Sequence, residues 1–257
     1  MKRLVIIIIP ILLIGGAAYL FKDSLTEYFE GQPKNLAEAN KQALELKSQA
    51  EEQKSLGKTY LAAGKYLKAA EKLKSALRRD KKSPDYSTYK NMMINYYHQG
   101  INLYIQDALK LPADKKLRAS NIYDGDTIEL ENGEKIRYLG INSPEIAHKP
   151  GERDQPYGRE ATRANSRLVG NRMVQLKLDG ETKGRYGRTL AYVFSGNRFV
   201  NAELLKQGMA KYYSPGGDIR YSRLFQACQS LAKEKKLGIW KKKPARRFAR
   251  KTKPGAE

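Results

Sequence analysis

The sequence predicts an α+β protein in which an all-α region precedes a compact barrel with helices packed on it. Three observations predict this order. An apolar run occupies the N-terminus, apolar residues recur at spacings of three and four over residues 35–111, and from residue 112 onward apolar and polar residues alternate between turns. A chain of 257 residues is long enough for two modest domains with appendages.

Residues 1–22 are predicted to form a membrane anchor. Lys2 and Arg3 precede 18 uninterrupted apolar residues, Leu4 to Phe21. As a helix rising about 1.5 Å per residue, this run nearly crosses a hydrocarbon core of about 30 Å. The positive charge before it predicts a single-pass protein with its N-terminus in the cytoplasm and the rest extracytoplasmic. Small residues within the run also permit cleavage as a signal peptide, which would yield a secreted protein.

Residues 35–111 are predicted to form a helical module, bracketed by Pro33 and Pro112. Residues 55–80 resemble one tetratricopeptide repeat, and the positions that match its packing residues are Leu56, Gly57, Tyr60, Gly64, Tyr66, Ala69, Leu73 and Ala76. A second copy is faint, and such arrays need about three repeats. The module is therefore interpreted as a spacer or as a docking module for a protein partner. A peptide-binding array and dimerisation through apolar helix faces are the alternatives.

Residues 117–240 are predicted to alternate short strands with helices. Two strands, at 127–130 and 135–141, are joined by a turn that contains Asn-Gly, and further strands are predicted at 173–178, 189–194 and 199–200. The predicted helices are 159–169, 202–207 and 219–237. Several short strands with interspersed helices predict a compact barrel, but they do not predict the strand order.

The chain is strongly basic, with 49 lysines and arginines against 27 aspartates and glutamates and a formal charge of +22. Such an excess attracts polyanions, so nucleic acid or an anionic membrane surface is the expected partner. A basic protein without a polyanionic partner is the plain alternative. The single cysteine, Cys228, is expected to be buried and offers no thiolate cluster for zinc or iron, so any metal should have oxygen ligands.

Five blocks follow one another in the C-terminal half: DGDTIEL, IRYLGINSPE, YGRTLAYVF, NAELLKQGMAKYY and SLAKEKKLGIW. In this order and spacing they resemble the staphylococcal nuclease family, over residues 117–240. The resemblance implies a five-stranded OB-fold barrel with three helices, and a calcium-dependent endonuclease acting on DNA and RNA. An OB-fold offers a groove suited to single-stranded nucleic acid, which agrees with the charge of the chain.

The resemblance also implies catalytic residues. Hydrolysis of a phosphodiester needs a base that activates water, and positive charge where the phosphate accumulates negative charge. Glu145 matches the family's general base, and Arg137 and Arg188 match the two arginines that clamp the phosphate. A guanidinium contacts two phosphate oxygens at once, which a lysine does not. For either arginine alone, a solvated basic residue is the plain alternative.

One calcium ion is implied by the same resemblance. Its ligands would be Asp126, the side chain of Asn142 and the backbone carbonyl of Ser143, with Asp124 acting through water. Oxygen ligands on turns suit calcium, although Asp-Gly-Asp alone is also an ordinary turn sequence. The family usually has aspartate where this chain has Asn142, and the missing charge should weaken calcium binding. Two hypotheses stay open: an active nuclease, or a catalytically weak nucleic-acid-binding module tethered to the membrane.

Four further residues are weaker candidates for contact with the substrate. Arg185 and Tyr186 match substrate-contacting positions of the family, and Tyr212 or Tyr213 is expected to stack on a base. The basic tail, residues 241–257, is expected to be disordered. Binding of the phosphate backbone or of anionic lipid is its functional alternative.

Overall fold

The computed structural model describes residues 33–147, 151–180, 183–184 and 186–241 of the 257-residue chain. Predictions about the N-terminal run, Arg185 and the tail beyond Lys241 lie outside the described residues. The prediction for Cys228 is confirmed, because this side chain is buried and unpaired.

Three helices that pack on one another form the helical module, residues 36–110: α1 (Leu36–Ser55), α2 (Thr59–Arg79) and α3 (Tyr86–Lys110). Asn35 begins α1, since its Oδ1 accepts a hydrogen bond from the backbone nitrogen of Glu38 at 2.8 Å. Buried alanines on α1 and α2 allow close approach of the helices, and Tyr66 and Tyr97 fill the space between them and α3. The contacts among the three helices are therefore mainly apolar.

The predicted tetratricopeptide repeat is not confirmed. That repeat is a helix–turn–helix unit, and the matched positions require a turn near Gly64. Gly64 instead lies inside α2, which runs without interruption for 21 residues. The turn lies earlier, at residues 56–58, where Leu56 is exposed. Among the small residues that suggested the repeat, Ala69 and Ala76 are buried on α2, whereas Gly57 lies in the turn with a φ of +72°.

Eight strands of the described residues form two sheets. The larger sheet has the order β3-β2-β1-β5-β6-β7, with an additional parallel pairing of β3 with β6, and the smaller pairs β4 with β8. Their bounds are β1 Lys115–Ile122, β2 Thr127–Leu130, β3 Lys135–Tyr138, β4 Ile141–Asn142, β5 Met173–Lys177, β6 Thr189–Ser195, β7 Arg198–Phe199 and β8 Lys211–Tyr212. The small sheet is important for the site because β4 ends at Asn142.

Three helices accompany these strands: α4 (Gly158–Val169), α5 (Val200–Lys206) and α6 (Ser222–Glu234), followed by a 3₁₀ turn at Gly238–Trp240. Aromatic rings fill the space between the larger sheet and α6. Phe194 stacks on Phe199 with ring centroids 4.3 Å apart, and Tyr192 meets Tyr221 edge-on at 4.6 Å. One hydrophobic core runs through this region and the helical module.

The predicted fold class is wrong in its account of the sheet. A five-stranded OB-fold barrel was expected, whereas the structure has a six-stranded and a two-stranded sheet. One reason is β1, which the sequence pattern did not predict. A second reason is Gly140, whose φ of +79° breaks the predicted strand 135–141 and sends Ile141 and Asn142 into the smaller sheet.

The predicted transmembrane helix and single-pass, extracytoplasmic localisation are corrected as well. None of the helices in the described parts of the chain combines the length and the apolar composition that a bilayer crossing requires. Residues 1–22, on which that prediction rested, are not among the described residues.

Candidate active site

The Asp124-Gly125-Asp126 turn connects β1 to β2 and carries two buried carboxylates. Asp126 is only 1% exposed, and its backbone nitrogen donates to Oδ1 of Asp124 at 2.8 Å. Gly125 allows another loop to approach, because a Cβ at this position would lie 2.7 Å from the Cβ of Ser143. The turn therefore presents both acidic residues to the loop that follows β4.

The carboxylate of Asp126 has a partner on each oxygen. Its Oδ1 lies 3.1 Å from Nη1 of Arg137 and accepts from Thr127 Oγ1 at 3.2 Å. Its Oδ2 accepts from the backbone nitrogen of Ser143. Burial raises the pKa of Asp126, the Arg137 guanidinium opposes that rise, and the Asp124 carboxylate adds to it. The side chain is thus fixed in position, and a nearby positive charge would favour its ionised form.

The guanidinium of Arg137 is held by hydrogen bonds to residues 138–142. Nη1 donates to the backbone oxygens of Tyr138 at 3.1 Å and Ile141 at 2.8 Å, and Nη2 donates to Oδ1 of Asn142 at 2.7 Å. With Asp126 as a fourth partner and 13% of its side chain exposed, the guanidinium joins β3, β4 and the acidic turn. Such a network sets its orientation before any ligand arrives.

The loop after β4 carries Glu145, and the backbone of this residue is held by two residues that the sequence analysis did not identify. The backbone nitrogen of Gln155 donates to the Glu145 carbonyl at 2.9 Å, and the Glu145 nitrogen donates to Oε1 of Gln155 at 3.3 Å. At Gly158 a Cβ would lie 2.4 Å from the Glu145 carbonyl oxygen, so glycine is required there. The side chain of Glu145 is exposed.

Arg188 is linked to the carboxylate of Asp126 through the hydroxyl of Thr127. Its Nη1 lies 3.4 Å from Thr127 Oγ1, and its guanidinium carbon lies 5.6 Å from the centroid of the Tyr186 ring. The Tyr186 side chain is 77% exposed. A pocket of about 300 Å³ opens beside them, and its lining residues are Gly133, Glu134, Lys135, Lys183, Tyr186, Gly187 and Arg188.

Most of the residues predicted for the site therefore lie together: Asp124, Asp126, Arg137, Asn142 and Ser143 are linked by hydrogen bonds, Glu145 follows on the same loop, and Arg188 joins through Thr127. Tyr186 lies beside Arg188. The predicted Tyr212 and Tyr213 lie beside this cluster, next to Ile141 and Gly140.

Tyr212 and Tyr213 do not share this cluster of hydrogen bonds. The hydroxyl of Tyr212 donates to Ser222 Oγ at 2.9 Å, which ties the ring to the start of α6. The backbone nitrogen of Tyr213 donates to the Gly140 carbonyl at 3.1 Å, and its side chain is exposed. Both residues support the loop of the site through their backbones.

The donor atoms fit a hard cation held mainly by oxygen. In the described residues no three or more His, Cys, Asp or Glu side chains are grouped closely enough to hold a metal ion by themselves. The acidic turn and the 142–143 loop nevertheless combine two carboxylates with an amide oxygen, and Ser143 Oγ is buried without a hydrogen-bond partner. A carboxylate oxygen that already accepts one bond keeps a further lone pair. Calcium accepts such mixed oxygen ligands and completes its shell with water.

Comparison with known proteins gives one consistent result. A family model described as "Staphylococcal nuclease homologue" matches residues 135–242. Thermonuclease of Staphylococcus intermedius is 38% identical over 126 residues, which cover 47% of this chain and 73% of that protein. Thermonuclease of Staphylococcus hyicus is 36% identical over 132 residues, 49% and 76% of the two chains. Endonuclease YncB of Bacillus subtilis is 40% identical over 126 residues, 46% and 58% of the two chains.

Proposed function

This chain belongs to the staphylococcal nuclease family, and from that premise we propose that it is a calcium-dependent nuclease that hydrolyses phosphodiester bonds of DNA and RNA. The observation that supports this proposal most is the arrangement around Asp126. Arg137 contacts its carboxylate directly, and Arg188 reaches it through Thr127. One guanidinium on this carboxylate and a second beside Thr127 form a site where a phosphate can meet positive charge from two residues.

Glu145 is assigned the role of general base. Its carboxylate is exposed to water while its backbone is held by Gln155 and Gly158, so it can accept a proton without losing its position. A general base of this kind contributes typically 10²–10⁴-fold, on the order of 3–5 kcal/mol of the barrier. The proton removed from the attacking water goes to the Glu145 carboxylate, the water oxygen bonds to phosphorus, the P–O bond to one sugar oxygen breaks, and that leaving oxygen takes a proton from solvent water.

The two arginines have different parts in this proposal. Arg137 is held by four protein oxygens and supplies a positive charge whose position is set in advance. Arg188 has one long hydrogen bond and a ring beside it, so it can adjust to the phosphate. Charge that is already oriented costs no reorganisation when negative charge develops on the phosphate oxygens.

The calcium ion would be held by Asp126, the side chain of Asn142 and the Ser143 carbonyl, with Asp124 acting through water. When bound, it would supply positive charge that offsets the charge accumulating on the phosphate. The neutral amide of Asn142 lowers the charge of this ligand set and should make calcium binding weaker than with a second aspartate at this position.

A preference for single strands is proposed from Tyr186. Its exposed ring lies next to Arg188, and a base stacks on such a ring only when it is not paired in a duplex. Arg185, Tyr212 and Tyr213 remain weaker candidates for substrate contact. A protein partner of the helical module stays a prediction.

Cleavage of a labelled single-stranded oligonucleotide by the full chain tests the proposal. Products should appear with calcium and disappear with a chelator, and returning calcium in excess should restore them. If the oligonucleotide binds without being cleaved even when calcium is well above extracellular concentrations, that result would favour the alternative of a catalytically weak nucleic-acid-binding protein.

A further inference from the structure

Helix α6 has two packed faces. One face carries Leu224, Phe225 and Cys228 and is buried in the core of the sheets. The second face meets the helical module: Ser230 Oγ accepts from Nζ of Lys74 on α2 at 2.9 Å. Ala227, three residues earlier on this face, is only 4% exposed. The helical module therefore covers α6 on the side away from the sheets.

Further contacts fix the module to the same body. Nζ of Lys235, just after α6, lies 2.8 Å from Nε2 of His98 on α3. On the sheet side, the buried Lys177 donates from Nζ to the Ala108 carbonyl in the last turn of α3. A cation at this end of a helix is favourable because it meets the unpaired carbonyls and the negative end of the helix dipole. The Lys177 ammonium also lies 4.4 Å from the centroid of the Phe194 ring.

From α6 the contacts continue to the candidate active site. Oε1 of Gln229 accepts from the backbone nitrogen of Tyr212 at 3.0 Å, which attaches β8 to α6. β8 pairs with β4, with Ile141 opposite Tyr212 and Asn142 opposite Lys211. A sheet of two residues per strand is marginal by itself and needs support from packing.

The last link joins β4 to the arginine. The Ile141 carbonyl and Oδ1 of Asn142 both accept hydrogen bonds from Arg137. A displacement of β8 therefore moves two of the groups that orient this guanidinium. Phe225 of α6 also packs so tightly on Gly140 that a Cβ there would lie 2.6 Å from the ring.

We propose that the helical module is an intramolecular brace for the 140–143 loop. It holds α6 from outside, and Gln229 of α6 holds β8, which in turn sets the position of β4 and Arg137. Gln229 is a positioning residue that acts through β8 and lies outside the proposed phosphate site. The effect of the brace on catalysis rests on the proposed nuclease function, whereas its effect on the order of the loop does not.

Gln229→Leu in the full chain tests the inner part of the brace. Gln226→Leu is the matched control, because Gln226 lies one turn earlier on α6 with its side chain exposed. Amide hydrogen exchange of the segments 140–143 and 211–213 should become about tenfold faster in Gln229→Leu, as expected for a locally opened element, and should stay unchanged in the control. The kcat should fall about tenfold, with KM within about twofold, since misplaced groups reduce turnover more than binding.

Ala227→Arg, with Gln226→Arg as control, tests the outer part. The long charged side chain should separate α3 from α6, so exchange should become faster in α3 and also in segment 211–213. Gln229→Leu should leave exchange in α3 unchanged. This result would show that the contact of the module with α6 does not depend on the contact of Gln229 with β8. Faster exchange in α3 with no change at 211–213 would overturn the brace. If Ala227→Arg fails to fold, unchanged exchange at 211–213 in Gln229→Leu overturns it.

These readouts separate the two proposals. Hydrogen exchange is measured without substrate, so it decides on the brace even if the wild-type chain cleaves no nucleic acid. Absence of cleavage by the wild-type chain would remove the proposed function, and normal cleavage with slow exchange at 211–213 in every variant would remove only the brace.

Discussion

The two sides of the candidate active site are built differently. On the buried side, Asp126 and Arg137 are enclosed and each contacts several protein groups. On the open side, Glu145 and Tyr186 are exposed, and Arg188 has one hydrogen bond of 3.4 Å. Charge on the buried side is therefore part of the folded structure, whereas the groups on the open side are exposed to solvent. Substitutions on the buried side should affect both stability and turnover. Substitutions on the open side should affect only turnover or binding.

Glu145→Gln should have the largest effect. We expect kcat to fall by roughly 10²–10⁴ because the amide cannot accept the proton from water. The melting temperature and the affinity for single-stranded DNA should remain as in the wild type, because the exposed side chain keeps its shape. Glu160→Gln, an exposed change at the start of α4, is the control. Wild-type turnover of Glu145→Gln would remove this residue from the role of base.

A comparison of Arg137→Lys with Arg188→Lys tests the two sides most directly. Each variant should lose roughly 10²–10³ in turnover, the range for removal of one oriented donor group. Arg137→Lys should also lower the free energy of unfolding by about 1–3 kcal/mol, because buried acceptors lose their donor. Arg188→Lys should stay within about 0.5 kcal/mol of the wild type. Urea denaturation measures both, and an equal loss of stability would contradict the distinction between the sides.

Asn142→Asp tests an exposed residue that contacts the buried Arg137–Asp126 pair through Nη2 of Arg137. We expect calcium affinity to rise about tenfold, because a charged ligand replaces a neutral one. The metal-free protein should lose less than about 1 kcal/mol, since Nη2 of Arg137 already lies 2.7 Å from Oδ1 of residue 142 and offsets the repulsion from Asp126. Calcium titration by calorimetry and melts in chelator measure the two quantities.

Asn91→Asp is the control for that experiment, since it adds the same charge at an exposed position of α3. Unchanged calcium affinity in Asn142→Asp would mean that residue 142 is not a ligand, and the non-catalytic alternative would gain support.

Tyr186→Ala should have the smallest effect. Loss of one exposed stacking ring is worth about 1 kcal/mol, so KM for single-stranded DNA should rise about fivefold with kcat and stability unchanged. Tyr213→Ala, which removes an exposed ring that lacks the contact with Arg188, should change KM less. A larger rise for Tyr213→Ala would assign the stacking role to Tyr213 instead.

Features that depend on neighbours along the chain could be predicted from the sequence. The strand at Thr127–Leu130 has the predicted bounds, and α6 lies inside the predicted range 219–237. Alternation, helical spacing and turn residues are local properties of the sequence, so they can be recognised without knowledge of the fold. The order of the five blocks also predicted the family, which the similarity to thermonucleases supports.

Features that depend on contacts between distant segments could not be predicted in this way. The alternation of polar and apolar residues in β1 is too weak to predict a strand. The strand forms because it pairs with both β2 and β5. The hold of Gln155 and Gly158 on Glu145 arises when segments 10 or more residues apart meet. The same applies to the outer face of α6, whose Ser230 meets Lys74 across 156 positions of sequence. Such contacts depend on how whole elements pack, and packing is a property of surfaces that no single stretch of sequence contains.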